Sequence, residues 1–294
     1  LAGFPIEKRR KEKLETIIHE IQYRNGDKFS LYPFSDSHLG AAESAEATLS
    51  HTIQECAALG RFGLAIGVGD WLDCITKNDK RFRMNGLASW VEPSNIVDSQ
   101  RRHAVGIYLP LKEAGQLICV GTGNHEEAIH NHHDDNVALN MCRDLHTRYA
   151  GYQAFIILKF HNVVSGVNHI RKIHSWHGSG AAQSAGARLN RLISLVNDIE
   201  ADIYLMGHLH AMTAHTPDRL KVDDFGRIRS IRLAATITGS WLKTYDQSDT
   251  DGEYLDPTYG EEKGYKPSRI GCPIIRIDPE KFESPYDNAV TVES

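Results

Sequence analysis

The sequence predicts an α/β protein, and three observations carry that prediction. Short apolar runs alternate with amphipathic stretches of helical period, polar blocks rich in Asp, Asn and His follow the ends of those runs, and composition is that of a packed domain. Hydrophobic residues make up 41% of the 294 positions and charged residues 24%, which excludes collagenous, disordered and membrane-spanning classes. No stretch reaches the roughly 20 apolar residues of a membrane helix. No apolar core follows Lys8-Arg9-Arg10-Lys11 as it would in a secretory leader, so a cytoplasmic location is the expectation. A net charge of -5 supplies no global basic field, and any nucleic-acid contact has to rest on a local patch. Cys56, Cys74, Cys119, Cys142 and Cys272 are scattered without close pairs and read as packing residues in a reducing compartment. Histidine is the compositional outlier at sixteen, which directs attention to metal.

Leu14, Ile17, Ile18 and Ile21 recur at helical spacing, so residues 5–24 read as an amphipathic helix and residues 1–27 as a helical extension. Asn25-Gly26-Asp27 stops it. Phe29 to Phe34 is then a strand, Ala45, Leu49, Ile53, Cys56 and Ala57 mark a helix face, and Gly63 to Val68 is a buried strand, together a βαβ unit. Pro33 lacks a donor for a central ladder and belongs near the strand end or at a bulge. A helix over 95–109 and a strand from Gln116 to Val120 continue the alternation, followed by a helix over 136–148. Phe155 to Phe160, Val163 to Val167 and Lys172 to Trp176 are closely spaced β segments of a second sheet. Leu189, Leu192, Ile193, Val196 and Ile199 form a helix face, with strands at Ile203 to Met206, near Ile231 to Ala235 and near Ile274 to Ile277. The acidic, turn-rich stretch from Tyr245 to Gly264 reads as a surface loop. No repeat and no Pro-, Gly- or Ser-rich linker divides the chain. One domain over 1–294 is expected, with 211–294 supplying C-terminal strands and loops.

The polar blocks sit where the strands stop. Asp36-Ser37-His38 follows the strand at 29–34, and its two-residue spacing turns both side chains to one face, as ligands of one ion require. Gly69-Asp70-Trp71-Leu72-Asp73 follows the next strand, where glycine lets the backbone turn and point a carboxylate out of the C-terminal end, the place where open α/β sheets build sites. Gly123-Asn124-His125-Glu126, His177-Gly178 and Gly207-His208-Leu209-His210 follow three more strands in the same way.

The order Asp-x-His, Gly-Asp-x-x-Asp, Gly-Asn-His-Glu, His-Gly, Gly-His-x-His over residues 35–210 resembles the calcineurin-like metallophosphoesterase superfamily, with all five blocks present and in sequence. Gly264-Tyr265-Lys266-Pro267-Ser268 with Gly271 is similar to the tail of compact members met in phage genomes. The resemblance implies a four-layer α/β/β/α sandwich with the site at one edge. It implies that Asp36, His38 and His210 hold one divalent ion, that Asn124, His177 and His208 hold a second, and that Asp70 bridges both. Imidazole, carboxylate and amide oxygen suit Mn, Zn, Fe or Ni and suit calcium poorly; Mn is the first expectation. Two such ions about 3.5 Å apart lower the pKa of a bridging water, whose hydroxide would attack phosphorus in line while the ions and Asn124 balance charge on the non-bridging oxygens. By the same resemblance His125 faces the leaving-group oxygen as proton or hydrogen-bond donor, and Asp73 is its orienting carboxylate, against the plain alternative of a helix N-cap.

The serine/threonine phosphatase branch carries an arginine after the second block and another before the Asn-His pair; here Cys74 and Thr122 stand there. Without that grip on a terminal phosphate the expectation leans toward phosphodiesters, small organic or nucleic acid, unless Arg101 or Arg102 substitutes. Asp36-Ser37-His38-Leu39-Gly40 is also similar to the first block of repair exonucleases, which keeps a Mn-dependent DNA nuclease as an alternative, although no DNA-capping domain is recognisable after residue 210. A phosphomonoesterase and a non-catalytic scaffold remain further alternatives. Among weaker features, His130, His132, His133, Asp134 and Asp135 read as a solvated loop or helix start against a third metal site. Gly178-Ser179-Gly180 with Ser184 and Gly186 reads as a connection or a phosphate-binding turn. His174 and Trp176 read as packing against substrate stacking, and Trp241 and Tyr245 as possible cleft walls.

Overall fold

The computed structural model describes residues 14–222, 225–245, 257–283, 286–287 and 289–293. Two six-stranded mixed sheets and six helices make a mixed α/β protein. The first sheet contains β1 (Glu15–Tyr23), β6 (Gln153–Asn162), β7 (Asn168–Trp176), β8 (Ile203–Met206), β12 (Ala234–Thr238) and β9 (Met212–His215), in that spatial order. The second runs β15 (Val290–Glu293), β13 (Ile274–Ile277), β2 (Phe29–Phe34), β3 (Gly63–Gly67), β4 (Leu117–Gly121) and β5 (Arg148–Gly151). A small third sheet holds β10 (Asp218–Val222), β11 (Ile228–Arg232) and β14 (Tyr286–Asp287).

One apolar cluster draws Ile17, Ile156, Leu158 and Ile173 from one large sheet and Leu31, Ile66, Ile118 and Ile275 from the other. On the second sheet's opposite side, Phe34 and Val120 pack with side chains from α1 (Glu46–Ala58), α2 (Ile96–Glu113) and α4 (Val137–Asp144). Tyr204 and Ile237 of the first sheet pack with α5 (Ala185–Asp198). Strands buried on both faces read as continuous apolar runs because no residue in them meets water, and β2, β3 and β8 are buried at every position. Pro33 is the penultimate residue of β2 and lies beyond Leu31, the last residue paired with β13, so its missing donor falls outside that ladder.

Five sequence expectations change. Residues 15–23 form a strand at the sheet edge, parallel to β6, instead of a helix. Ile17, Ile21 and Tyr23 are buried while Ile18 is 43% exposed, a period of two that the spacing of Leu14, Ile17, Ile18 and Ile21 also admits. Residues 5–13 of the expected helix, with 1–4 of the expected extension, lie outside the described residues. Val163 to Val167 form the turn between β6 and β7: Asn162 Oδ1 accepts from the backbone N–H groups of Val164 and Ser165, which closes the turn despite three valines. The expected helix over 136–148 stops at Asp144, and Arg148 already begins β5. The strand expected near Ile231 to Ala235 is two strands, β11 and β12, in different sheets. Of the loop expected from Tyr245 to Gly264, residues 246–256 lie outside the described residues and Tyr259–Lys263 form a short helix, α6. No helix among the described residues is long and apolar enough to cross a membrane.

Candidate metal centre

Five strand ends converge at one edge. Asp36 and His38 follow β2, Asp70 follows β3, His177 follows β7, and His208 and His210 follow β8. Asn124 and His125 open α3 (Asn124–His133) shortly after β4; its last turn holds His130, His132 and His133, which the sequence reading took with Asp134 and Asp135 for a solvated loop or helix start. Asp36, Asp70, His38 and His177 are essentially inaccessible to water, while Asn124, His208 and His210 reach toward the surface.

The backbone is bent to make this convergence. Asp36, His38, Asp70, His208 and His210 all sit at positive φ, between 44° and 70°, a left-handed conformation that costs a non-glycine residue of order 1 kcal/mol or more. Five strained residues among the seven converging positions is the pattern of a site whose geometry overrides local preference. Gly69, at φ +112°, supplies the turn before Asp70.

The seven side chains separate into two groups. Asp36 Oδ1 lies 3.1 Å from His210 Nε2 and 4.0 Å from His38 Nε2, and the two imidazole nitrogens are 3.1 Å apart. His177 Nε2 lies 3.1 Å from Asn124 Oδ1 and 3.2 Å from Asp70 Oδ2, and His208 Nδ1 lies 2.7 Å from Asn124 Oδ1. Asp70 stands between the groups, since the same Oδ2 is 4.0 Å from His38 Nε2. A third close set joins His38, Asp73 and His125.

These contacts fit cation binding. His177 Nδ1 lies 3.1 Å from the Val68 carbonyl, an acceptor that fixes the proton on Nδ1 and turns the Nε2 lone pair toward Asp70 and Asn124. A lone pair facing two oxygens is repulsive unless a proton or a metal ion lies between them. His38 Nδ1 is buried without a hydrogen-bond partner among the described residues; the Asp73 carboxylate, 3.8 Å away, stands beyond hydrogen-bond reach. Metal-free, the set relies on protons. Burial opposes charge on His177, but Asp70 and Asp36 outweigh it and raise the imidazole to about 9. Burial likewise opposes ionisation of Asp70, and the surrounding His177, His125 and His38 nonetheless hold it well below the ordinary carboxylate range. Burial and the neighbouring His125 lower His38. Buried His and Asp groups of this kind can bind a metal ion, the ion taking the place of those protons.

His125 is 8% exposed; its Nδ1 donates to the Asp73 carbonyl and its backbone N–H to Asp70 Oδ1 at 2.9 Å. Burial lowers its pKa, and Asp70 and Asp73 more than offset that, so the net shift is upward. The Asp73 carboxylate lies 3.9 Å from His125 Nδ1 and 3.8 Å from His38 Nδ1. No helix begins at Asp73, which removes the N-cap alternative; it is the main-chain oxygen of Asp73 that takes the His125 proton.

Sequence reasoning passed over Glu126. Fully buried, it accepts from the backbone N–H groups of Asp70 at 3.1 Å, Leu72 at 3.0 Å and Gly123 at 2.9 Å, tying the second block to the third. Burial and the Asp70 charge push its carboxyl up to about 7 against two of those donors. A Gly three positions before a Glu at a helix start was the signal available for it. Other features fall away from the centre. Trp241 is fully buried and stacks on Phe34 with ring centroids 5.5 Å apart, and His174 is buried beside Phe155 and Tyr204. Tyr245 donates its hydroxyl to the Tyr265 carbonyl. Ser184 caps α5 by accepting from the Ala187 N–H. His130, His132, His133, Asp134 and Asp135 form no metal-sized cluster among the described residues. Arg101 pairs with Asp98 and Asp144, and Arg102 with Asp98 and Glu92, so both are engaged along α2.

No model of a known protein family matches the chain, and no curated protein matches it.

Proposed function

We propose that this chain is a metal-dependent phosphoesterase of the calcineurin-like type, built as an α/β/β/α sandwich and cleaving phosphodiester bonds with two divalent ions, Mn foremost. The observation that carries the proposal is the convergence of Asp36, His38 and His210 beside Asp70, Asn124, His177 and His208, with Asp70 Oδ2 within 4.0 Å of a nitrogen from each group. When bound, the ions supply positive charge to phosphoryl oxygens and make water acidic enough to act as nucleophile near neutral pH.

The chain's own groups do the rest. Buried carboxylates at Asp36 and Asp70 would help hold the cations and offset their charge. His125, its Nδ1 proton committed to the Asp73 carbonyl, turns Nε2 toward the cleft. Protonated there, it donates to the departing oxygen, and its raised pKa keeps that form populated toward neutral pH. Asp73 holds the ring orientation. The adjoining cleft, about 220 Å³, is walled by Ile75, Phe82, Leu87 and Leu242 and favours one compact organic arm over a polymeric strand.

Turnover of bis(p-nitrophenyl) phosphate by the purified chain tests the proposal. EDTA abolishes it and Mn restores it; undiminished turnover in EDTA overturns the reading. Cleavage of labelled DNA with Mn in preference to the small diester would favour the nuclease alternative.

A further inference from the structure

We propose that a second copy of this chain docks on the outer face of the ribbon formed by β10 and β11, joining two copies through Leu220, Val222, Phe225 and Ile228. The inference does not rest on the phosphoesterase reading, because none of these residues lines the cleft beside the metal centre. The register pairs Val222 with Ile228, Leu220 with Ser230 and Asp218 with Arg232, so those six residues share one face of the ribbon. Arg219 with Ile231 and Lys221 with Arg229 share the other. That second face is turned to the protein: Arg219 Nη2 donates to the Val196 carbonyl of α5, and Ile231 packs against the cluster of Leu192, Val196 and Tyr204. The first face points away from it. Leu220 is 76% exposed, Val222 64% and Ile228 70%, with Phe225 at 84% in the connection between the strands.

Scattered exposed aliphatics need no explanation, but four large apolar side chains gathered on one ribbon do. Together they present on the order of 400 Å² per chain, a patch of the size that marks an interaction site. Charge decides which partner fits. The polar groups of that face are the neutral Ser230 and an ion pair of Asp218 with Arg232 at 3.1 Å, which leaves the face without net charge. Lys221 and Arg229 belong to the opposite face, and in sequence Asp223 and Asp224 adjoin Phe225. A nucleic acid or an anionic bilayer is drawn by cations beside the apolar surface and repelled by such a pair of carboxylates. An uncharged apolar face is instead complementary to itself, as a two-fold contact between identical chains requires. Two copies face to face remove about 800 Å² of apolar surface and, with the polar rim, reach about 1,000–1,200 Å², the low end for specific interfaces. That size gives a reversible dimer with a micromolar dissociation constant instead of a permanent one.

Sedimentation equilibrium of the full chain over about 1–200 μM, a range set by that class of affinity, reads the association directly. Wild type moves from monomer towards dimer as concentration rises. Val222→Thr combined with Ile228→Thr keeps β-branched side chains in both strands and removes apolar surface from both copies, so the dissociation constant rises about tenfold or more. Leu220→Lys puts an ammonium group from each copy into the buried face, and that variant stays monomeric throughout. Val164→Thr, at a position exposed to the same 76% in the turn between β6 and β7, leaves the association unchanged. Melting temperatures of all three variants, measured on dilute protein, match wild type. A wild type that is monomeric at every concentration overturns the proposal, as does a dimer that both ribbon variants leave intact. A monomeric wild type that sediments with phosphatidylglycerol vesicles or shifts duplex DNA, and loses this in the double variant, also overturns it and gives the ribbon a different partner.

Discussion

A methyl group added at Gly123 would stand 2.1 Å from Asp70 Oδ1 and 2.5 Å from the Asp70 backbone nitrogen. The second contact is with main chain that Glu126 already holds through a hydrogen bond, so no rotamer change relieves it. Gly123→Ala therefore displaces the one carboxylate that stands between both ligand groups. A misplacement on the scale of 1 Å costs on the order of 100-fold in rate, and kcat/KM with the Mn content of the purified variant measures it. His125→Ala tests the proposed separation of chemistry from metal binding, in which His125 stands beside the ion-holding residues and is not one of them. We expect kcat to fall about 100-fold or more with Mn content unchanged; parallel loss of Mn would show that the ring is a structural prop.

At the scale of elements, legibility followed burial. Strands β3 and β8, which lead into Asp70 and His208, are buried at every residue, so their sequences are unbroken apolar runs closed by Gly. Strand β1 alternates buried and exposed positions at a sheet edge, and its isoleucines fit a helical spacing equally well. Strands β9 and β10 have no buried residue and left no apolar run to find, and β11, equally without one, was read only where it adjoins buried β12. Helix α3 was obscured because its polar, histidine-rich residues resemble a loop. Strand β7 shows how an interior position sets a pH limit. Burial lowers His174 from its ordinary value near 6.5 to about 4, and its Nδ1 has no partner. Between those values the unfolded chain binds a proton that the folded chain refuses. The stability His174 contributes is complete above pH 6.5 and is lost as pH falls through 4, an effect on the order of 3 kcal/mol. His174→Gln should flatten this part of the acid-unfolding curve while leaving turnover at neutral pH intact; a curve as steep as wild type would remove His174 as its cause.

The whole molecule is arranged so that its least comfortable residues meet at one place. Asp36, Asp70, Asp73 and Glu126 are buried within one small region, and five ligand residues carry strained backbone. The order of the blocks was readable because each ligand follows a strand end. The resemblance also implied the division into two groups; what no local pattern encodes is how the two large sheets meet to bring those strand ends within a few ångströms of one another. An assembly that gathers buried carboxylates and imidazoles is held together less well when only protons balance them. Cations that bind the folded chain and not the unfolded one add RT ln(1 + [L]/Kd), about 2.7 kcal/mol at one hundred times Kd. For a chain of this size that corresponds to a rise in melting temperature of about 5–10 °C on going from EDTA to excess Mn. Calorimetry on the same sample before and after chelation measures the rise, and Asp70→Asn should remove most of it because both ligand groups share that carboxylate. Identical melting in EDTA and Mn would mean that the convergence at the strand ends is held by the fold alone and binds no ion worth the strain.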